Sequence, residues 1–239
     1  MNTNILLERM LSLADPKQVQ GLMRFFKCGP GQYGEGDRFL GIKVPATRQA
    51  VKELWRSVSF DDLDECVRSE YHEVRLAALL TLVQIFEHAK KDPVLQKRCI
   101  DFYLDNTAYI NNWDLVDLSC YELLGTWLLD GDRSLLYELA RNGKTIWEQR
   151  MGIVSTMALV RHGQLDDTYA IADIFLEKPA PLHDLLQKAV GWLLRDAGKR
   201  DTERLLLWLE PRCRTMPRTM LRYAIEKLPE DIRQEFLKK

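Results

Sequence analysis

From about residue 46 to residue 238, apolar residues recur at spacings of three and four, and no run of alternating β-branched residues rises to a strand. This nearly continuous helical period constrains the chain more than any other feature. The breakers Asp92-Pro93, Gly131, Gly143, Gly163, Pro179, Pro181, Pro211, Pro217 and Pro229 cut it into segments. These lie near 60–69, 72–90, 92–106, 113–125, 132–141, 145–162, 165–177, 181–198, 200–213, 216–226 and 229–238, after a first helix at about 46–57. Two earlier helices are predicted over 5–14 and 16–27, the second opened by Asp15-Pro16, a cap followed by a proline in the first turn. The expectation is an all-α chain of roughly fourteen short helices joined by the short turns of antiparallel neighbours.

The stretch between the early helices and this run is different. Cys28-Gly29-Pro30-Gly31-Gln32-Tyr33-Gly34-Glu35-Gly36-Asp37 holds four glycines in ten residues and must be a loop. No strand precedes it and no Lys-Ser/Thr follows the glycines, which argues against a nucleotide phosphate loop.

An internal repeat organises the helices. His72-Glu73-Val74-Arg75-Leu76-Ala77-Ala78-Leu79 resembles Trp147-Glu148-Gln149-Arg150-Met151-Gly152-Ile153-Val154. Arg75, Trp113, Arg150 and Lys188 fall at steps of 38, 37 and 38, with the small residues Ala77, Gly152 and Ala189 after three of them. A period in the high thirties is that of a superhelical array of HEAT-like, or armadillo-like, repeats. On that reading residues 1–239 form a single repeat domain, and the four positions form a row along one wall. One turn further on come Leu79, Asp117, Val154 and Trp192. Arg195 shares the face of Lys188, and Lys199 and Arg200 follow at the helix end.

The densest part of this row is Asn111-Asn112-Trp113-Asp114-Leu115-Val116-Asp117-Leu118. Either asparagine can cap a helix whose first-turn acids suit the helix dipole. Trp113 and Asp117, four apart, share one face, about 5–6 Å apart at Cβ. Taken alone, the acids could simply compensate the dipole and Trp113 could be a packed helix-start aromatic. Trp192 could equally be core, and Arg150 a salt-bridge partner of Glu148 or of an acid on a neighbouring repeat.

The net charge of −1 argues against an indiscriminate polyanion binder. The signs are segregated, however. Residues 1–56 hold nine Lys/Arg against five Asp/Glu, residues 57–140 seven against sixteen, and residues 195–239 twelve against eight. That distribution fits either a basic surface for a phosphate backbone or solvated faces that happen to cluster. The five cysteines are scattered without a CxxC, which reads as reduced thiols in a cytoplasmic protein. The histidines have no paired spacing, so no metal is expected. Nothing at the N-terminus reads as a signal peptide, and the longest apolar run, Leu76 to Phe86, is too short to span a bilayer.

Asn-Trp-Asp-Leu-Val-Asp at 112–117, Trp-Glu-Gln-Arg at 147–150 and Lys-Ala-Val-Gly-Trp-Leu-Leu-Arg at 188–195 together resemble the AlkD family of DNA glycosylases. Phe39-Leu40-Gly41-Ile42-Lys43-Val44-Pro45 matches that family's N-terminal pattern. The resemblance covers nearly the whole chain. It implies a C-shaped array of HEAT-like repeats with a concave basic groove. It implies release of cationic alkylated purines, of the 3-methyladenine and 7-methylguanine type, from double-stranded DNA, without a cofactor and without enclosing the base. Asp117 matches the family's catalytic aspartate, Trp113 and Trp192 the tryptophans packed against the lesion's deoxyribose, and Arg150 the arginine of the catalytic cleft. Lys43, Arg75, Lys188, Arg195, Lys199 and Arg200 are expected to contact DNA, giving salt-sensitive and largely sequence-independent binding. Phe25 falls about where some members carry a tyrosine facing DNA, and the loop at 29–36 is an insertion relative to them. A monomer is expected, cytoplasmic and nucleoid-associated when bound to DNA. The competing reading is a helical-repeat module without catalysis, binding DNA structures or acting as a protein scaffold.

Overall fold

A computed structural model describes residues 4–239. Among these residues the chain is built from helices, with one isolated bridge between Arg38 and Tyr71 as its only β pairing. Among the described residues no helix is long and apolar enough to cross a membrane. The chain divides into two compact units, Met1–Ser119 and Cys120–Lys239.

The first unit contains α1 (Ile5–Ser12), α2 (Pro16–Phe25), α3 (Val44–Leu54), α4 (Phe60–Val67), α5 (His72–His88), α6 (Pro93–Asp105) and α7 (Trp113–Asp117). Side-chain caps open α2, α4 and α6, the one at Asp15 being a cap expected from the sequence. The Asp15 side chain accepts from the Lys17 amide ahead of Pro16, Ser59 and Asp62 form a capping box, and Asp92 precedes Pro93. At the centre stands α5, apolar on every side and buried from His72 through Val83, which is how a core helix reads. Helices α1, α3, α4, α6 and α7 all pack against it.

Helix α5 also fixes the glycine-rich connection. The buried Glu73 carboxylate accepts hydrogen bonds from the amides of Leu40, Gly41 and Ile42, at 2.9, 2.9 and 3.0 Å. Gly41 has a φ of 90°, and a Cβ there would stand 2.0 Å from the Asp15 carbonyl oxygen, so only glycine fits.

The second unit opens with a π-helical turn (Tyr121–Gly125) and continues through α8 (Ser134–Asn142), α9 (Ile146–Val154), α10 (Thr156–Arg161), α11 (Asp166–Glu177), α12 (Asp184–Arg200), α13 (Thr202–Leu209), α14 (Arg218–Ala224) and α15 (Glu230–Lys238). Close approaches at glycines hold it together. A Cβ on Gly152 would lie 2.6 Å from the Ala140 amide nitrogen, and one on Gly191 2.5 Å from the Met220 carbonyl oxygen. These contacts seat α9 on α8 and α12 on α14, the first of them at Gly152, one of the small residues that follow the repeat positions.

Two of the predicted helices are interrupted. The one expected over 113–125 ends at Asp117, and residues 118–120 turn before the π-helical segment. Here the Ser119 hydroxyl donates to the Leu115 carbonyl at 2.5 Å, occupying an acceptor of the helical ladder. The helix expected over 145–162 is broken at Ser155, beside which the Thr156 hydroxyl donates to the Ile153 carbonyl at 2.7 Å. Of the four repeat positions, Arg75, Arg150 and Lys188 stand four or five residues into α5, α9 and α12, whereas Trp113 is the first residue of α7.

Candidate active site

Helix α7 is too short to be stable by itself and depends on what holds it. The Asn112 side chain accepts from the Trp113 amide at 2.8 Å, and Leu115 and Val116 are fully buried beneath the helix. This leaves Trp113, Asp117 and Leu118 half-buried. Trp113 and Asp117 do share a face, and both line a cavity of about 410 Å³ in the first unit.

The walls of that cavity are almost wholly apolar. Phe26 stacks on Trp113 with ring centroids 5.4 Å apart, and Phe25 meets the same indole edge-on at 5.7 Å. Leu22, Phe39, Ile42 and Leu76 complete the apolar lining, and Lys43 stands exposed at the start of α3. Phe25 is 61% exposed, unusual for a phenylalanine that already has two aromatic neighbours. Asp117 is thus a carboxylate set among hydrocarbon and indole, where fixed charges act more strongly than in water.

Behind the cavity lies a buried ionic cluster. His72 Nε2 stands 2.8 Å from an oxygen of Asp114, and Nδ1 stands 3.1 Å from an oxygen of Asp37. Arg75 donates to the other Asp37 oxygen at 2.5 Å. Burial by itself would lower the His72 pKa. The hydrogen bonds and charges of Asp114, then of Asp37, outweigh it and push the imidazole up to about 9. Burial opposes ionisation of Asp37 too, yet His72 and Arg75 hold its carboxyl below the usual range. No local pattern announces this cluster, since its partners are 35 to 42 residues apart with no motif between them.

Arg75 therefore departs from the expectation of a DNA-facing side chain. It is 5% exposed, and its guanidinium also donates to the Ser69 carbonyl at 2.8 Å and to Asn111 at 3.1 Å. Those hydrogen bonds commit it to the fold of the first unit.

In the second unit Arg150 is buried on α9 and donates to the Leu185 carbonyl at the start of α12, while Trp192 is half-buried on α12. Lys188 pairs with Asp184 at 2.6 Å. Arg195 pairs with Glu226 and Lys199 with Asp196, and Arg200 donates to the Arg161 carbonyl at 3.2 Å. Most of the expected DNA-contacting cations in this unit thus have acidic neighbours of their own. Surface pairs of this kind cost little to exchange for phosphate.

All five cysteines are free thiols, four of them buried. Burial, and secondarily the charge of Asp37, raises Cys28 to about 11, so it is not a nucleophile at neutral pH.

The chain matches, over residues 6–228, the model of a family described as DNA alkylation repair enzyme. No curated protein matches it individually.

Proposed function

The chain belongs to the DNA alkylation repair enzyme family, and from that premise we propose that it is a DNA glycosylase releasing cationic alkylated purines from duplex DNA. A role in the repair of alkylated DNA, as an enzyme acting on DNA, comes with the family itself. The reaction, the lesions and the residue roles are our reading.

One observation carries it: Trp113 and Asp117 lie side by side on α7 at an apolar, aromatic cavity. Alkylating a ring nitrogen makes the purine a cation, which leaves as a neutral base and needs no acid to protonate it. Positive charge instead develops on the deoxyribose as the glycosidic bond stretches. One carboxylate facing that sugar stabilises the transition state more than the ground state. The same carboxylate can orient or deprotonate the attacking water. Ordinary glycoside hydrolysis uses two carboxylates because its leaving group must be protonated. A single Asp117 suffices for a leaving group that is already cationic. The face of Trp113 attracts the charged sugar by roughly 0.5–2 kcal/mol.

From the resemblance of their segments, Trp192 and Arg150 are assigned to contacts with the lesion-bearing nucleotide. Lys43, Lys188, Arg195, Lys199 and Arg200 are assigned to the phosphate backbone, Arg75 being excluded by its burial. The concave groove, the monomeric state and the lack of base enclosure belong to the same proposal. The test is release of free base from methylated duplex DNA by the wild type and by Asp117→Asn. Equal release by both would remove Asp117 from the mechanism. Absence of release by either, with salt-sensitive DNA binding retained, would favour a non-catalytic DNA binder.

A further inference from the structure

We propose that His72 is held as an imidazolium throughout the neutral pH range and is the positioning residue that fixes the Trp113–Asp117 helix against α5. Three observations carry the inference. First, both ring nitrogens face carboxylate oxygens, Asp37 at 3.1 Å and Asp114 at 2.8 Å. A neutral imidazole has one N–H and one lone pair, so one nitrogen would point its lone pair at a carboxylate oxygen. Only the doubly protonated ring donates to both.

Second, the cluster is electrically balanced only with that proton. Asp37 and Asp114 carry two negative charges, and Arg75 supplies one positive charge. The second positive charge comes from His72, which is 1% exposed. Removing its proton leaves one buried carboxylate uncompensated, an arrangement that low-dielectric surroundings penalise heavily. The other charged groups near the ring are Glu73, whose carboxylate is hydrogen-bonded by three backbone amides, and Lys43 and Asp117, which line the same cavity.

Third, the proton sits where it controls the site. Asp114 is next to Trp113 and three residues before Asp117, on a helix of five residues. Its other oxygen accepts from the Leu115 amide at 2.9 Å. The His72–Asp114 bond therefore joins the start of α7 to the start of the central core helix. Phe26 and Phe39, stacked on each other, both pack against the imidazole with ring centroids 4.7 Å from it, and Phe26 continues the stack onto Trp113. Movement of the ring is thereby coupled to the indole as well as to the helix.

The inference rests on the catalytic reading for its significance, but its test does not. With ¹⁵N-histidine in the full-length protein, the His72 ring signals should report two protonated nitrogens from pH 6 to pH 8. A neutral tautomer at pH 7 would overturn the proposal. With 5-fluorotryptophan, the ¹⁹F resonance of Trp113, assigned through Trp113→Phe, should shift with the same midpoint as the His72 titration. In Asp114→Asn that shared shift should disappear. A Trp113 resonance that ignores the His72 titration would show that the proton has no hold on α7.

If base release is confirmed, His72→Gln should lower kcat by about 10–100-fold with little change in KM, as expected for a displaced catalytic group. A rise in KM with kcat unchanged would refute positioning. If base release is not found, the two spectroscopic measurements still decide the proposal.

Discussion

The Glu73 carboxylate and the Gly41 amide are joined by a hydrogen bond of 2.9 Å, one of three by which α5 grips residues 40–42. These bonds fix one wall of the cavity, since Ile42 belongs to the gripped segment and Phe39 and Lys43 flank it directly in the chain. A glutamine at this position would turn its amide NH2, a donor, toward backbone N–H groups that need an acceptor. Glu73→Gln should therefore destabilise the protein by roughly 2–4 kcal/mol. A urea titration showing an unchanged midpoint would contradict this account.

Gly41 and Gly31 both have positive φ, 90° and 73°, but only Gly41 has a neighbour in the way. Alanine at Gly31 meets nothing within 4 Å and should cost about 1–2 kcal/mol from the backbone conformation alone. Alanine at Gly41 adds the collision with the Asp15 carbonyl and should cost distinctly more. Thermal melts of the two variants provide the comparison.

Asp117→Asn keeps the size and much of the hydrogen-bonding capacity of the side chain while removing the charge. Under the proposed mechanism it should slow base release by about 10²–10³-fold. Its affinity for duplex DNA should stay within about threefold of wild type, because Asp117 is not assigned to the backbone. Single-turnover release and fluorescence anisotropy measure the two quantities separately.

Lys43 is exposed at the N-cap of α3, a helix start without a side-chain cap. If it contacts a phosphate, Lys43→Ala should weaken binding to all duplex sequences alike and reduce the slope of log K against log salt by about 1. An unchanged slope would remove Lys43 from the DNA contacts.

The buried cluster makes a signed prediction for stability against pH. His72 is raised in the folded protein from 6.5 to about 9, so its contribution is fully present below about 6.5 and lost as pH rises through about 9. Asp37 is lowered from 3.8, so its contribution is present above that value and lost as pH falls through the folded pKa. Together they give greatest stability between these limits and a loss on the alkaline side of roughly 3 kcal/mol. Guanidinium denaturation from pH 5 to pH 10 should show this decline in wild type and a flatter curve in His72→Gln.

The sequence determined the helices and most of their boundaries, because capping residues, prolines and apolar period act within a few residues of one another. Asp15-Pro16, Asn112 and Asp92-Pro93 needed nothing distant to be read. It also brought Trp113 and Asp117 onto one face, since their spacing of four is a property of the helix itself. The helix break at Ser119 was hidden because a serine hydroxyl can face solvent or its own backbone, and packing chooses between them. Tertiary structure alone decided the destination of Arg75, which carries the same charge whether it meets a phosphate or a buried aspartate. It alone decided that Phe25, Phe26 and Phe39 gather around one indole, and that His72 lies between two carboxylates. Those contacts join residues tens of positions apart, and no local pattern encodes a distance that only packing around α5 creates.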